Sequence, residues 1–292
     1  MSMTLLKRAK SEQTAPTPKR SRLVRWWYYS AVGLVGLVLL GAGQPPVSTP
    51  ATAQPTAPRP MGQTAPAAAT TSPMDEPVRL IHEAQQAYQQ VRDYTCILIK
   101  NENASQQTVY HQIEMKVRVQ PFSVYLRWLA PRSEVGQEVC YVAGRNEGKM
   151  RVHPKGVLGA VGFISLDPND PRVRQTSKRS ITEAGIGNMI ERFARAWENE
   201  RRLNLTTEVS VAEYAYDGRR CIRAETRHPT NPDGHFLYYR DVVYFDKETH
   251  LPIRLEFYDW PRQQGDTGKL VEVYSFTKMR INVGLGDEVF NH

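Results

Sequence analysis

Three histidines, His228, His235 and His250, lie close in sequence to Asp233, Asp246 and Glu248. By type, these side chains are the ones best suited to hold a metal ion or move a proton. Two histidines at i, i+4 on a helix would present their nitrogens to one ion. None of these residues has that spacing, and all fall where strand patterns end. Metal ligation is therefore not expected. Carboxylates such as Asp170 and Glu183 have no sequence neighbour that would tune them for acid–base work. There is no G-x-S-x-G elbow, no phosphate loop and no G-x-G-x-x-G turn. The expectation is a protein that is not an enzyme and carries no cofactor. Cys96, Cys140 and Cys221 include no C-x-x-C pair, which excludes a zinc ribbon. They form one disulfide with a thiol left over, or they are three small buried apolar residues; the spacing leaves both open.

The 292-residue chain has a formal charge of +8, unevenly spread. Residues 1–75 hold eight basic and two acidic side chains, a net +6, so only +2 remains for the rest. The charge is an N-terminal feature, and no nucleic-acid partner is expected for the remainder. After the basic segment 1–25, residues 26–43 read WWYYSAVGLVGLVLLGAG without a charge. This suits either an inner-membrane anchor with its N-terminus in the cytoplasm or the apolar part of a long signal peptide. Both imply export to the bacterial periplasm or envelope, and no cysteine stands at a lipid-attachment position. Residues 44–74, rich in Pro, Ala and Thr, cannot bury enough apolar surface to offset their ordering and read as a semi-rigid linker.

A domain over 75–292 must then position whatever the protein binds. Val78, Ile81, Ala84, Tyr88 and Val91 recur at helical spacing after Asp75 and Pro77. A second helix, with Ser180 and Glu183 as a capping box, carries Ile186, Met189, Ile190, Phe193 and Trp197 on one face. The other patterns alternate with period two, at 94–100, 108–119, 122–128, 138–143, 149–153, 205–216, 220–228 and 236–245, and in a hairpin from His250 to Phe290. Short polar turns between successive strands imply an antiparallel meander. About ten strands with two helices cannot stay flat. The expected fold is α+β: a curved antiparallel sheet forming an unclosed half barrel, with two amphipathic helices in its mouth.

Several motifs, in order, resemble the lipoprotein carrier and sorting superfamily (LolA/LolB-like, RseB-like), and within it a bacterial domain family of unknown function. RVQPFSVYLRWLAP resembles its strand carrying a basic residue beside Trp. YVAGRNEGKMRVHP is similar to the following hairpin, with Met150 near the place of a Trp. YSFTKMRINVGLGDEVF is similar to the C-terminal strand, with Asn282 and Phe290 at matching positions. The resemblance implies a hydrophobic cavity that takes a lipid or lipoprotein acyl chain. Phe122, Leu126, Trp128, Ile190, Phe193, Trp197 and Phe257 are the candidate lining, or else ordinary core. Arg127 is implied as the residue that holds the helical lid through helix carbonyls. The loop with Gly156, Gly159, Gly162 and Phe163 reads either as a mobile lid or as a strand with glycine bends. The alternative function is an envelope protein-interaction or sensing module on the same fold, with a protein partner and no lipid.

Overall fold

The computed structural model describes residues 72–102, 110–171, 173, 177–231, 234–263 and 265–292. The basic segment 1–25, the apolar run 26–43 and the linker as far as residue 71 lie outside the described residues. Among the described residues, no helix is long and apolar enough to cross a membrane.

Helix α1 spans Asp75–Tyr88. Six strands follow: β1 Asp93–Glu102, β2 Tyr110–Arg118, β3 Ser123–Ala130, β4 Glu138–Val142, β5 Met150–His153 and β6 Ile164–Leu166. Helix α2 covers Ile186–Arg202. Then come β7 Glu208–Tyr216, β8 Arg219–Arg227, β9 Arg240–Asp246, β10 Pro252–Tyr258 and β11 Leu270–Ile281. All eleven strands form one sheet in the order β6-β5-β4-β3-β2-β1-β11-β10-β9-β8-β7, which does not close. Every pairing is antiparallel.

Both helices lie on the same face. Laid flat at about 4.8 Å per strand, the sheet would be roughly 50 Å wide. Two neighbouring helices cover about 20 Å. Yet Leu166 of one edge strand, and Val209 and Val211 of the other, pack into the apolar cluster that holds α1 and α2. The sheet therefore curls around the helices, as the strand count demands.

The α2 face expected from the sequence is the buried one: Ile186, Met189, Ile190, Phe193, Ala194 and Trp197. Its start differs from expectation. Ser180 and Glu183 belong to a separate 3-10 turn, Ile181–Glu183, where the Ser180 hydroxyl accepts from the Thr182 amide. α2 begins three residues later behind Gly185, whose φ of +94° suits glycine. With no side chain of its own at the cap, α2 borrows one: the Ile186 amide donates to the Tyr94 hydroxyl of β1 at 2.9 Å. A Cβ on Gly185 would meet that same oxygen at 2.8 Å. Tyr94→Phe should therefore lower stability by about 1 kcal/mol, readable as a lower urea midpoint with unchanged slope.

In the C-terminal hairpin, Leu255 and Phe257 of β10 and Tyr274 and Phe276 of β11 all face the helices. Ile253 departs from the expected alternation. The register shifts between Pro252 and Arg254, and Ile253 packs on the outer face with Cys221, Val242 and Tyr244. The three cysteines are free and buried in three different clusters, so the disulfide alternative does not form. The loop after β5 is a 3-10 turn, Gly156–Val161, followed by the short strand β6, which makes eleven strands among the described residues rather than ten.

Candidate functional site

The inner face of the sheet carries the candidate lining in two groups. Ile190, Phe193 and Trp197 come down from α2 onto Phe257 and Phe245. Phe193 stacks on Phe257 at 5.9 Å and meets Trp197 edge-on at 5.1 Å, and Trp197 lies 6.4 Å from Phe245. Phe122, Leu126 and Trp128 are half-buried and join the same cluster from the β3 side. A groove of about 510 Å³ opens beside the helices. Its rim is polar, with His82, Gln85, Gln89 and Glu191, and its depth reaches Ile190, Val91 and Val119 of the apolar cluster.

Two expected placements differ. Arg127 alternates with the inward Leu126 and Trp128, so it shares the outer face with Tyr125 and is exposed. No hydrogen bond from Arg127 to a helix carbonyl forms among the described residues, because strand alternation points it away from both helices. Phe163 packs on the outer side as well, against His153 at 5.2 Å and His292 at 4.9 Å. Gly159 sits where a Cβ would meet the Pro154 carbonyl at 2.8 Å. Gly156 and Gly162, at φ +66° and +82°, form the bends of the turn. The glycines lie in and beside the 3-10 turn Gly156–Val161, and the short strand of this loop, β6, begins only at Ile164.

What holds the interior shut is a polar group that motif reading did not single out. A crossing segment, residues 177–179 ahead of α2, meets one end of the inner face, where Ser177, Lys178 and Arg179 are fastened to two buried carboxylates of the sheet. Glu272, 1% exposed, accepts from Lys178 Nζ at 2.8 Å, Arg179 Nη2 at 3.2 Å and the Tyr238 hydroxyl at 2.6 Å. Glu102 accepts from the Lys178 amide at 3.0 Å, from Ser177 Oγ at 3.3 Å and from the Tyr274 hydroxyl at 2.7 Å. Lys100 Nζ lies 3.3 Å from Glu102. The Tyr274 oxygen is also 3.2 Å from Glu272 and receives Arg179 Nε at 3.0 Å. With one proton to give, that hydroxyl donates to the nearer Glu102.

Burial alone would raise Glu102, but Lys100, the Tyr274 hydroxyl and the Lys178 amide hold it below the usual carboxylate range. Tyr274 is pushed well up by burial and by both carboxylates. Beside this latch, His228 Nε2 faces Glu200 of α2 at 3.3 Å, its Nδ1 faces the Tyr238 carbonyl at 3.0 Å, and its ring stacks on Phe236 at 3.8 Å. Burial opposes charge on His228, yet Glu200 outweighs it and the imidazole is held above its ordinary value. Asp241 on β9 is pushed up to about 7, chiefly by burial.

These shifts fix a pH profile. The raised His228 contributes stability that is full below about pH 6.5 and lost as pH rises through its folded value. Asp241 ionises near 3.9 when unfolded but about 7 when folded, so stability falls across that interval. The lowered Glu102 contributes stability above about pH 4.3 that is lost in stronger acid. Stability should peak in mild acid and drop by a few kcal/mol toward pH 8. Urea midpoints at pH 5, 6.5 and 8 check this, and Asp241→Asn should flatten the decline.

The signal for the latch was present in the sequence. Glu272 alternates in register with Tyr274 and Phe276 on the apolar face of β11, and a carboxylate there needs a buried partner.

Among solved structures, the chain is similar to an uncharacterized conserved protein from Thermus thermophilus, at 8% identity and a TM-score of 0.43 over 74% of this chain and 93% of that one. It is similar to the Mycobacterium tuberculosis lipoprotein LppX, at 11% identity and 0.40 over 72% and 96%. A LolA superfamily protein from Nitrosomonas europaea gives 13% and 0.35 over 73% and 96%. No curated protein matches the chain. Residues 91–292 match a family model described as "Protein of unknown function (DUF1571)". The chain belongs to the DUF1571 family.

Proposed function

We propose that this is an exported, non-catalytic domain that takes up an acyl chain, free or attached to a lipoprotein, between α2 and the inner face of the sheet. The observation that carries this reading is the groove whose depth reaches Ile190 at the edge of the continuous apolar interior. Its volume falls in the range of about 300–1,000 Å³ usual for small-molecule sites. Beneath α2, Phe193, Trp197, Phe245 and Phe257 meet through their rings, so an alkyl chain entering between them parts ring contacts and no hydrogen bond described there. The N-terminal apolar run supports export, with the inner membrane as the place of attachment if the run is retained. A protein-interaction reading has one observation in its favour: among the described residues, β7 is an unpaired edge that exposes Tyr214.

The test uses the full chain in lipid nanodiscs, with empty nanodiscs as the blank. A fluorescent fatty acid should bind saturably, and native mass spectrometry should detect acyl species on the chain. Absence of both, with recovery of one protein from envelope cross-linking, would replace this reading by the interaction module.

A further inference from the structure

The latch lies on a single cross-strand row. Reading the register from β8 to β1, Thr226 pairs with Asp241, Asp241 with Phe257, Phe257 with Glu272 and Glu272 with Glu102. All face the helices, because Ala224, Val243, Leu255 and Tyr274, two residues along in each strand, belong to the apolar cluster beneath them. The inner face is thus apolar along its length and ends in a row with three carboxylates.

Glu272 is neutralised by Lys178 and Arg179, which belong to the crossing segment and not to the sheet, while Glu102 is paired with Lys100 of β1 and receives only the backbone amide of Lys178. Asp241 Oδ1 and Thr226 Oγ1, on directly paired residues, are buried and have no hydrogen-bond partner. A buried acceptor is stabilised by a donor, and these two oxygens sit on neighbouring strands where one group with several N–H bonds can serve both. Without the Lys178 and Arg179 side chains, Lys100 is the one cation among the described residues paired with Glu102 or Glu272, while Asp241 ionises near pH 7 and His228 beside them stays paired with Glu200. An ammonium group, with three donors and one positive charge, matches both the unpaired acceptors and the excess negative charge.

We propose that this row is a headgroup subsite for an ammonium-bearing amphiphile, and that Lys178 and Arg179 occupy it from within the chain when no ligand is bound. The inference rests on the acyl-chain reading above and adds the charge of the ligand's polar end. The crossing segment then acts as an internal competitor. Weakening its grip favours the ligand, and weakening the row disfavours it.

The experiment titrates the full chain in nanodiscs with three dansyl-labelled probes of equal chain length ending in an amine, a carboxylate or an alcohol. Empty nanodiscs correct for partitioning, and ethanolamine serves as a competitor carrying the head alone. The amine probe should bind at least tenfold tighter than the carboxylate probe. Asp241→Asn, which removes no hydrogen bond present in the structure, should reduce that preference several-fold while leaving alcohol binding unchanged. Lys178→Gln with Arg179→Gln should tighten amine binding. Equal or tighter binding of the carboxylate probe would overturn the headgroup assignment while leaving the acyl-chain reading intact. Failure of all three probes would overturn both. Competition by ethanolamine at the amphiphile's own concentration would overturn the assignment to an amphiphile.

Discussion

Trp197→Ala is expected to lower the unfolding free energy by about 3–5 kcal/mol, the usual cost of removing a large buried aromatic side chain. Trp197 is fully buried at the centre of the α2 face, between Phe193 and Phe245. Its loss forfeits the transfer energy of the indole and leaves a void that the rigid sheet cannot close. The indole nitrogen has no hydrogen-bond partner. Trp197→Phe therefore sacrifices only volume and should lose much less. A urea series on the two variants separates these contributions. Equal losses would mean that the nitrogen, rather than the ring volume, holds α2 in place.

Glu272→Ala should cost a comparable amount, about 3–5 kcal/mol, for a different reason. The carboxylate is the shared acceptor for Lys178, Arg179 and Tyr238, and removing it leaves two buried-side cations and a hydroxyl without their partner. The penalty lies in the orphaned donors more than in any net worth of the ion pair. Glu272→Ala combined with Arg179→Met should therefore be less destabilised than the single change. Glu213 provides the contrast. It also bridges two cations, Lys247 and Arg220, but its side chain is 62% exposed. Glu213→Ala should stay within about 1 kcal/mol of the parent, because water screens an exposed pair. If the two glutamates cost the same, the latch is not the fastening described above.

The parts of this fold that were readable in the sequence are those set by local periodicity. The α2 face follows from Ile186, Met189, Ile190, Phe193 and Trp197 at spacings of three and four, and all of them are buried or nearly so. The strands follow from alternation, and the open curved sheet from their number. The C-terminal strand motif also has a physical cause. The Asn282 side chain accepts from the Arg92 amide at 2.7 Å and donates to the Gln90 carbonyl at 3.0 Å, clasping the turn from α1 into β1, while Phe290 is buried against Arg118.

What was not readable depended on register or on distant partners. Ile253 changes face because of an irregularity in β10 that no residue type announces. Ser180 and Glu183 had the right spacing for a cap, but the glycine two residues further on started the helix anew and a tyrosine 92 positions away in the chain capped it. Arg127 was aimed by alternation to the outer face. The latch joins residues 94 and 172 positions apart, so only the sheet order brings Lys178, Glu272, Tyr274 and Glu102 together. The candidate lining was legible as apolar positions. The polar end of the same face was legible only as an unexplained glutamate on an apolar strand.

The proposed acyl-chain function requires entry of the chain between α2 and the sheet. The most direct measurement is photolabelling of the full chain in nanodiscs with a fatty acid carrying a diazirine in mid-chain, followed by peptide mapping. Labels are predicted on α2 around Ile190–Trp197 and on the facing strands around Leu255–Phe257 and Tyr274–Phe276, and excess unlabelled fatty acid should suppress them. Labels confined to the outer face or to residues 1–71, or labels that excess fatty acid leaves unchanged, would contradict it.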